Sequence, residues 1–161
     1  VPDPLYIDLL ARAGCAEDVI AHCTAVRDLS LSFASDPLVN RELLEAAALL
    51  HDIGRGVTHG LDHAEVGGSI CRSFDLGEET ASIVERHIGA GLTADECSLL
   101  NLIPQDCIPR TLEEKIVANA DNLVRGTRTI TIQERLQRSI MLPRRLRKRA
   151  YRLYMEMELF R

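Results

Sequence analysis

Residues 48 to 67, "ALLHDIGRGVTHGLDHAEVG", hold three of the chain's five histidines and three acidic side chains. Imidazole and carboxylate together form a mixed nitrogen and oxygen donor set that suits zinc, iron, manganese and similar cations. The other candidates are dispersed: His22, His87 and Asp121, the last set among Ala118, Ala120 and Val124. A charge buried among apolar neighbours costs several kcal/mol unless it is partnered, so Asp121 calls for an arginine or a metal. Taken singly, His22, His63 and Asp121 each have a plainer explanation, as half-buried polar groups bonded within the fold.

Helices must carry these residues. Pro4 suits a first turn, and "LYIDLLARAG" gives a short helix stopped at Gly14. A second helix is expected over 16–34, ended by "SDP", and a third, capped by Asn40, through "RELLEAAALLHDIG". Gly54 and Gly56 make continuation past Ile53 costly and turn "GRGVTHG" into a loop. Further helices are expected at 62–74 and 77–86, followed by a long, partly helical excursion interrupted by Pro104 and Pro109, with Thr93 as a local cap. Thr111 and Glu114 resemble a capping box opening "LEEKIVANADNLVRG", which Gly126 stops. The last helical region, 131–160, breaks near Pro143 and carries the basic run "RRLRKRAYR".

The 161 residues suit a single domain over 1–161. Aromatics are 4% and tryptophan is absent, so the core must come from leucine, isoleucine, valine and alanine, which fill helix interfaces. The expected class is all-α. A net charge of -5 spread along the chain disfavours a long nucleic acid as partner. The basic run spreads over several helix faces, with Leu146, Ala150 and Leu153 as an apolar stripe, and reads as a solvated helix docked on the body or on another subunit. Five cysteines follow no ligand spacing, nothing at the start reads as a leader, and no apolar run spans a bilayer, so a reduced cytoplasmic protein with no membrane partner is expected. Cys23 is expected in the core, pointing away from whatever His22 faces.

The order of these residues, His22, then "ALLHDIG", then His63 in "HAEVGG", His87 in "VERHIG" and Asp121 in "ANADNLV", resembles the HD superfamily of metal-dependent phosphohydrolases, in its HDIG subgroup. The resemblance covers residues 16–128 and implies a bundle of seven to nine helices, with a basic helical region beyond it. It implies that His22, His51, Asp52 and Asp121 hold a first metal, and that Asp52 bridges to a second held by His63 and His87. One or two divalent transition metals are implied: iron, manganese, cobalt, nickel or zinc. His51 and Asp52 are then catalytic.

The expected activity is hydrolysis of a phosphate mono- or diester, including a nucleotide or cyclic nucleotide, by metal-activated hydroxide. Arg55, where the family often has lysine, is expected to act in catalysis and grip phosphate in a fork. Arg125, one helical turn beyond Asp121, is expected to bind substrate beside it. Asp62 and Glu65 are candidates to orient an imidazole, with a capping role for Asp62 as the alternative. His59 is left between ligand and loop residue. Two other readings stand beside the hydrolase: a di-iron oxygenase on the same scaffold, and a catalytically silent, metal-stabilised binding module. Small phosphate esters and a homo-oligomer are the expected partners.

Overall fold

A computed structural model describes all residues 1–161. It is all-α: α1 Pro4–Arg12, α2 Glu17–Leu31, α3 Arg41–Leu50, α4 His63–Ser73, α5 Glu78–Glu85, α6 Ala94–Leu99, α7 Leu112–Asn122, α8 Ile132–Arg138 and α9 Arg144–Phe160. A two-stranded antiparallel hairpin, β1 Val124–Arg125 and β2 Arg128–Thr129, follows α7. No helix is long and apolar enough to cross a membrane.

The caps follow the sequence. Asn40 accepts from the Leu43 amide, and Thr93 and Thr111 each close a reciprocal box with Glu96 and Glu114. α3 is the central helix: Leu44, Ala46, Ala47, Ala48, Leu49 and Leu50 are all buried, and the alanines let neighbours close in on several sides. It supplies Leu44, Ala47 and Ala48 to one core with Phe33, Ile83, Ile116 and Met157, and Leu50 to a second with Leu10, Cys23, Cys71 and Val84. α9 docks by Ala150, Leu153 and Met157, while Leu146 of the expected apolar stripe is only half-buried.

The structure changes three expectations. α3 stops at Leu50, and Ile53–Gly56 form a 3-10 turn rather than open loop. The two glycines there serve close backbone approach. A Cβ on Gly54 would lie 1.9 Å from the His63 carbonyl oxygen, and one on Gly56 would lie 2.1 Å from that of Ala13. α7 ends at Asn122, and the chain turns into the hairpin through Gly126 at φ +63. Arg125 is therefore exposed on a strand, and the helical-turn argument that placed it beside Asp121 is corrected.

Candidate metal centre

The last turn of a helix leaves backbone carbonyls without intrahelical donors, and two histidines use them. His51, at the C-cap of α3, places Nδ1 2.8 Å from the Ala48 carbonyl oxygen, and His87, just beyond α5, places Nδ1 2.6 Å from that of Val84. His63 opens α4 and sets Nδ1 2.8 Å from the Gly60 oxygen, while His22, inside α2, reaches the Gly126 oxygen at 2.7 Å. A carbonyl oxygen only accepts, so every Nδ1 is a donor and every neutral ring presents Nε2 as a bare lone pair.

Those four Nε2 atoms converge on two carboxylates. Asp121 Oδ1 lies 2.9 Å from His22 and 3.3 Å from His51. Asp52 divides its oxygens: Oδ2 faces His51 at 3.5 Å and His22 at 3.8 Å, while Oδ1 faces His63 at 3.1 Å and His87 at 3.3 Å. The six residues thus form two groups that meet at Asp52: His22, His51 and Asp121 on one side, His63 and His87 on the other.

Acceptors packed in this way repel unless a cation lies among them. His51 Nε2 is wholly buried and makes no well-formed hydrogen bond, although both carboxylates are near. His63 and His87 bring their Nε2 atoms to 3.0 Å of each other beside Asp52 Oδ1. The donor set, with each ring fixed through its far nitrogen, fits a divalent transition metal. In the metal-free chain, protons relieve the same conflict. Burial opposes the His51 imidazolium, but the charges of Asp52 and Asp121 raise its pKa well above the ordinary value; His22 is raised as well, against burial, by Asp121. Burial would push both carboxyls up, yet the facing imidazoles hold Asp52 and Asp121 far below the usual range. His87 goes the other way, because its complete burial outweighs Asp52 and lowers it.

Close packing sets the second group. Gly54 lets the start of α4 come against the 3-10 turn, and a Cβ on Gly67 would lie 2.8 Å from Val84 on α5. Those two contacts bring His63 and His87 together.

The neighbours sort differently from expectation. Arg55 does turn inward, with Nε 3.2 Å from Asp52 Oδ2, while a terminal nitrogen reaches the His59 carbonyl at 3.4 Å, so only part of its fork is open. His59 is exposed and stands outside both groups. Asp62 neither caps α4 nor meets an imidazole, since its Oδ1 accepts from the Thr58 hydroxyl. Glu65 instead accepts from the Ile103 amide and ties down the excursion. Cys23 is buried in the core as expected, yet its sulfur lies within 4.8 Å of ligand atoms of His51 and Asp52, so it is not turned away from the centre. Arg135 on α8 was not singled out from the sequence; it feels the charge of Asp121, and its Nε is buried without a hydrogen bond. Its only signal is its place three residues after buried Ile132, which puts it on the inward face of α8.

A helical bundle whose bridging carboxylate joins two sets of imidazoles defines a metal-binding domain. The chain belongs to the HD domain family, whose model matches residues 19–126. It is 46% identical over 125 residues to an uncharacterised protein of Methanocaldococcus jannaschii, covering 74% of each chain. It is 41% identical over 128 residues to the tRNA (cytidine(56)-2'-O)-methyltransferase of Thermoplasma volcanium, covering 80% of this chain but 38% of that one. Ribonuclease Y of Petrotoga mobilis is 35% identical over 78 residues, 47% of this chain and 15% of the ribonuclease. The chain therefore spans most of the first relative and well under half of the other two. No solved structure matches it.

Proposed function

We propose that this protein is a metal-dependent phosphohydrolase acting on a phosphate ester, with His22, His51, Asp52 and Asp121 holding one divalent metal and Asp52, His63 and His87 a second. The observation that carries this reading is the division of Asp52, one oxygen toward each imidazole set. Bound divalent cations supply Lewis acidity toward phosphoryl oxygens and lower the pKa of water at neutral pH. The chain's own residues do the rest. The four Nδ1 bonds hold the rings in one tautomer, Asp52 fixes the spacing of the two sets, and the open part of the Arg55 guanidinium receives an equatorial phosphate oxygen as charge builds there.

The similarity to Ribonuclease Y supports a phosphodiester as one substrate class, a cyclic nucleotide or RNA among them. The methyl transfer in the other relative's name belongs to a protein of which this chain matches 38%, and the site here is built for cations rather than for a methyl donor. Iron, manganese, cobalt, nickel and zinc all suit the donor set.

The test is elemental analysis of protein purified without added metal, followed by phosphate release from mono- and diesters with each of those metals. About two equivalents of metal with turnover is the expected result. Metal without turnover on any ester, coupled to oxygen uptake with iron, would replace the hydrolase with the di-iron oxygenase. Retained metal with neither ester turnover nor oxygen uptake would favour the silent, metal-stabilised module, and no retained or restorable metal would remove the metal centre itself.

A further inference from the structure

A cavity of about 300 Å³ lies between the segment that follows His87 and the helices α8 and α9. That volume is at the lower end for small-molecule sites. Ile88 is the residue after His87, and Leu61 is two before His63, so the cavity wall is continuous along the chain with both residues of the second imidazole set. Its walls are mostly aliphatic, from Leu61, Ile88, Leu92, Leu136 and Leu146, and Arg135 stands among them.

The charge balance inside is unusual. Glu96 is the acidic residue in the lining, and both its oxygens are taken: Oε1 by the Thr93 amide at 2.9 Å and Arg149 at 2.8 Å, Oε2 by Arg145 at 2.8 Å and Arg149 at 3.2 Å. It has little left to offer Arg135. Burial and the charge of Arg138 work against the Arg135 guanidinium, and Asp121 is the acid that favours it. A half-buried cation whose Nε is enclosed without a hydrogen-bond partner calls for an anion. An aliphatic wall calls for an apolar body on that anion.

We propose, resting on the hydrolase reading, that this cavity receives the organic group of the substrate and that Arg135 pairs with its anionic ester, so that the centre prefers phosphate esters bearing a compact apolar group, aryl- or nucleobase-sized, over those of small polar alcohols. Arg135 is then a substrate-binding residue on α8, and the C-terminal region is part of the substrate site as well as of the packing.

The test is calorimetric binding to the metal-loaded protein of two phosphonates that cannot be hydrolysed, 1-naphthylphosphonate and methylphosphonate. The naphthyl compound is expected to bind about tenfold or more tightly than the methyl one, from the apolar area it buries. Arg135→Met should weaken both by about tenfold, because it removes a charge-assisted contact without emptying the space. Leu146→Trp narrows the cavity and leaves the α9 anchors Ala150, Leu153 and Met157 in place, and it should weaken only the naphthyl compound. Metal content should stay at the wild-type level in both variants. Equal affinity for the two phosphonates, no binding of either, or wild-type affinities in both variants would overturn the pocket. Phosphate release measured alongside separates the two claims. Esters cleaved with the variants binding like wild type would leave the hydrolase and remove the pocket, whereas the predicted binding without turnover on any ester would keep the pocket and remove the hydrolase.

Discussion

The two sides of the centre are built in opposite ways. His22, His51 and Asp121 come from α2, the end of α3 and α7, with His22 and Asp121 99 residues apart, and the set remains partly open: the side chains of His22 and Asp121 are 17% and 22% exposed. His63 and His87 come from two consecutive helices held together by glycine contacts, and their side chains are only 4% and 1% exposed. The first side has two carboxylates for two imidazoles; the second has one oxygen of Asp52. A divalent cation needs negative charge near it when water is removed. The first side should therefore bind tightly and the second weakly, with Asp52 as the group whose loss affects both.

Asp52→Asn is the largest expected effect. Metal affinity on both sides should fall by more than about a hundredfold, since this loss goes beyond that of an outer-shell partner. Titration followed by elemental analysis checks it, and one equivalent retained at wild-type affinity would show that Asp121 alone anchors the first side. Gly54→Ala comes next. Its Cβ would meet the backbone of His63 and Gly67 at 1.9 and 2.8 Å, atoms that cannot rotate away. A loss of about 3 kcal/mol is expected, or roughly 6 to 12 °C in Tm for a chain of this size. In calorimetry the weak equivalent should suffer more than the tight one, because His63 is the ligand displaced. His22→Ala and His87→Ala then test the asymmetry directly: the first should remove the tight equivalent, the second only the weak one. Identical losses in the two variants would mean that the sites fill as one unit.

Much of this is legible in the sequence. Caps at Asn40, Thr93 and Thr111, the break at Pro143 and the helical class follow from local side-chain chemistry, which needs no knowledge of distant residues. The order of the six candidate ligands was legible through the family pattern, although the pattern is silent about how they are held. The carbonyl at Gly126 that fixes His22 is 104 residues away and is available only because the chain turns at that glycine. The same turn misled the reading of Arg125, whose helical register with Asp121 required α7 to run one turn further. In the sequence Gly54 and Gly56 read as helix breakers, because sequence shows a glycine's freedom but not the backbone pressed against it. Arg135 stayed hidden for a related reason, since an arginine on a short amphipathic helix looks solvated until the neighbouring helices are in place.

The smallest effect, and the sharpest on the comparison, is in pH. In the metal-free chain the raised His51 and His22 contribute stability that is fully present below an ordinary imidazole pKa of about 6.5 and is lost as pH rises through their folded values. The depressed Asp52 and Asp121 contribute stability present above about 3.9 and lost as pH falls through theirs. His87, lowered by burial, opposes the first pair, because it costs stability as pH falls below about 6.5. Two raised imidazoles against one lowered predict a metal-free Tm that declines modestly from pH 6 to pH 8. Metal needs the Nε2 atoms deprotonated, so the Tm gain on adding metal should grow over the same interval, with protons released into the buffer. The release should come chiefly from the first equivalent, where the raised histidines sit. Calorimetry in two buffers of different ionisation enthalpy reads it; equal release from both equivalents would remove the asymmetry, and release chiefly from the second would reverse the assignment of the tight site.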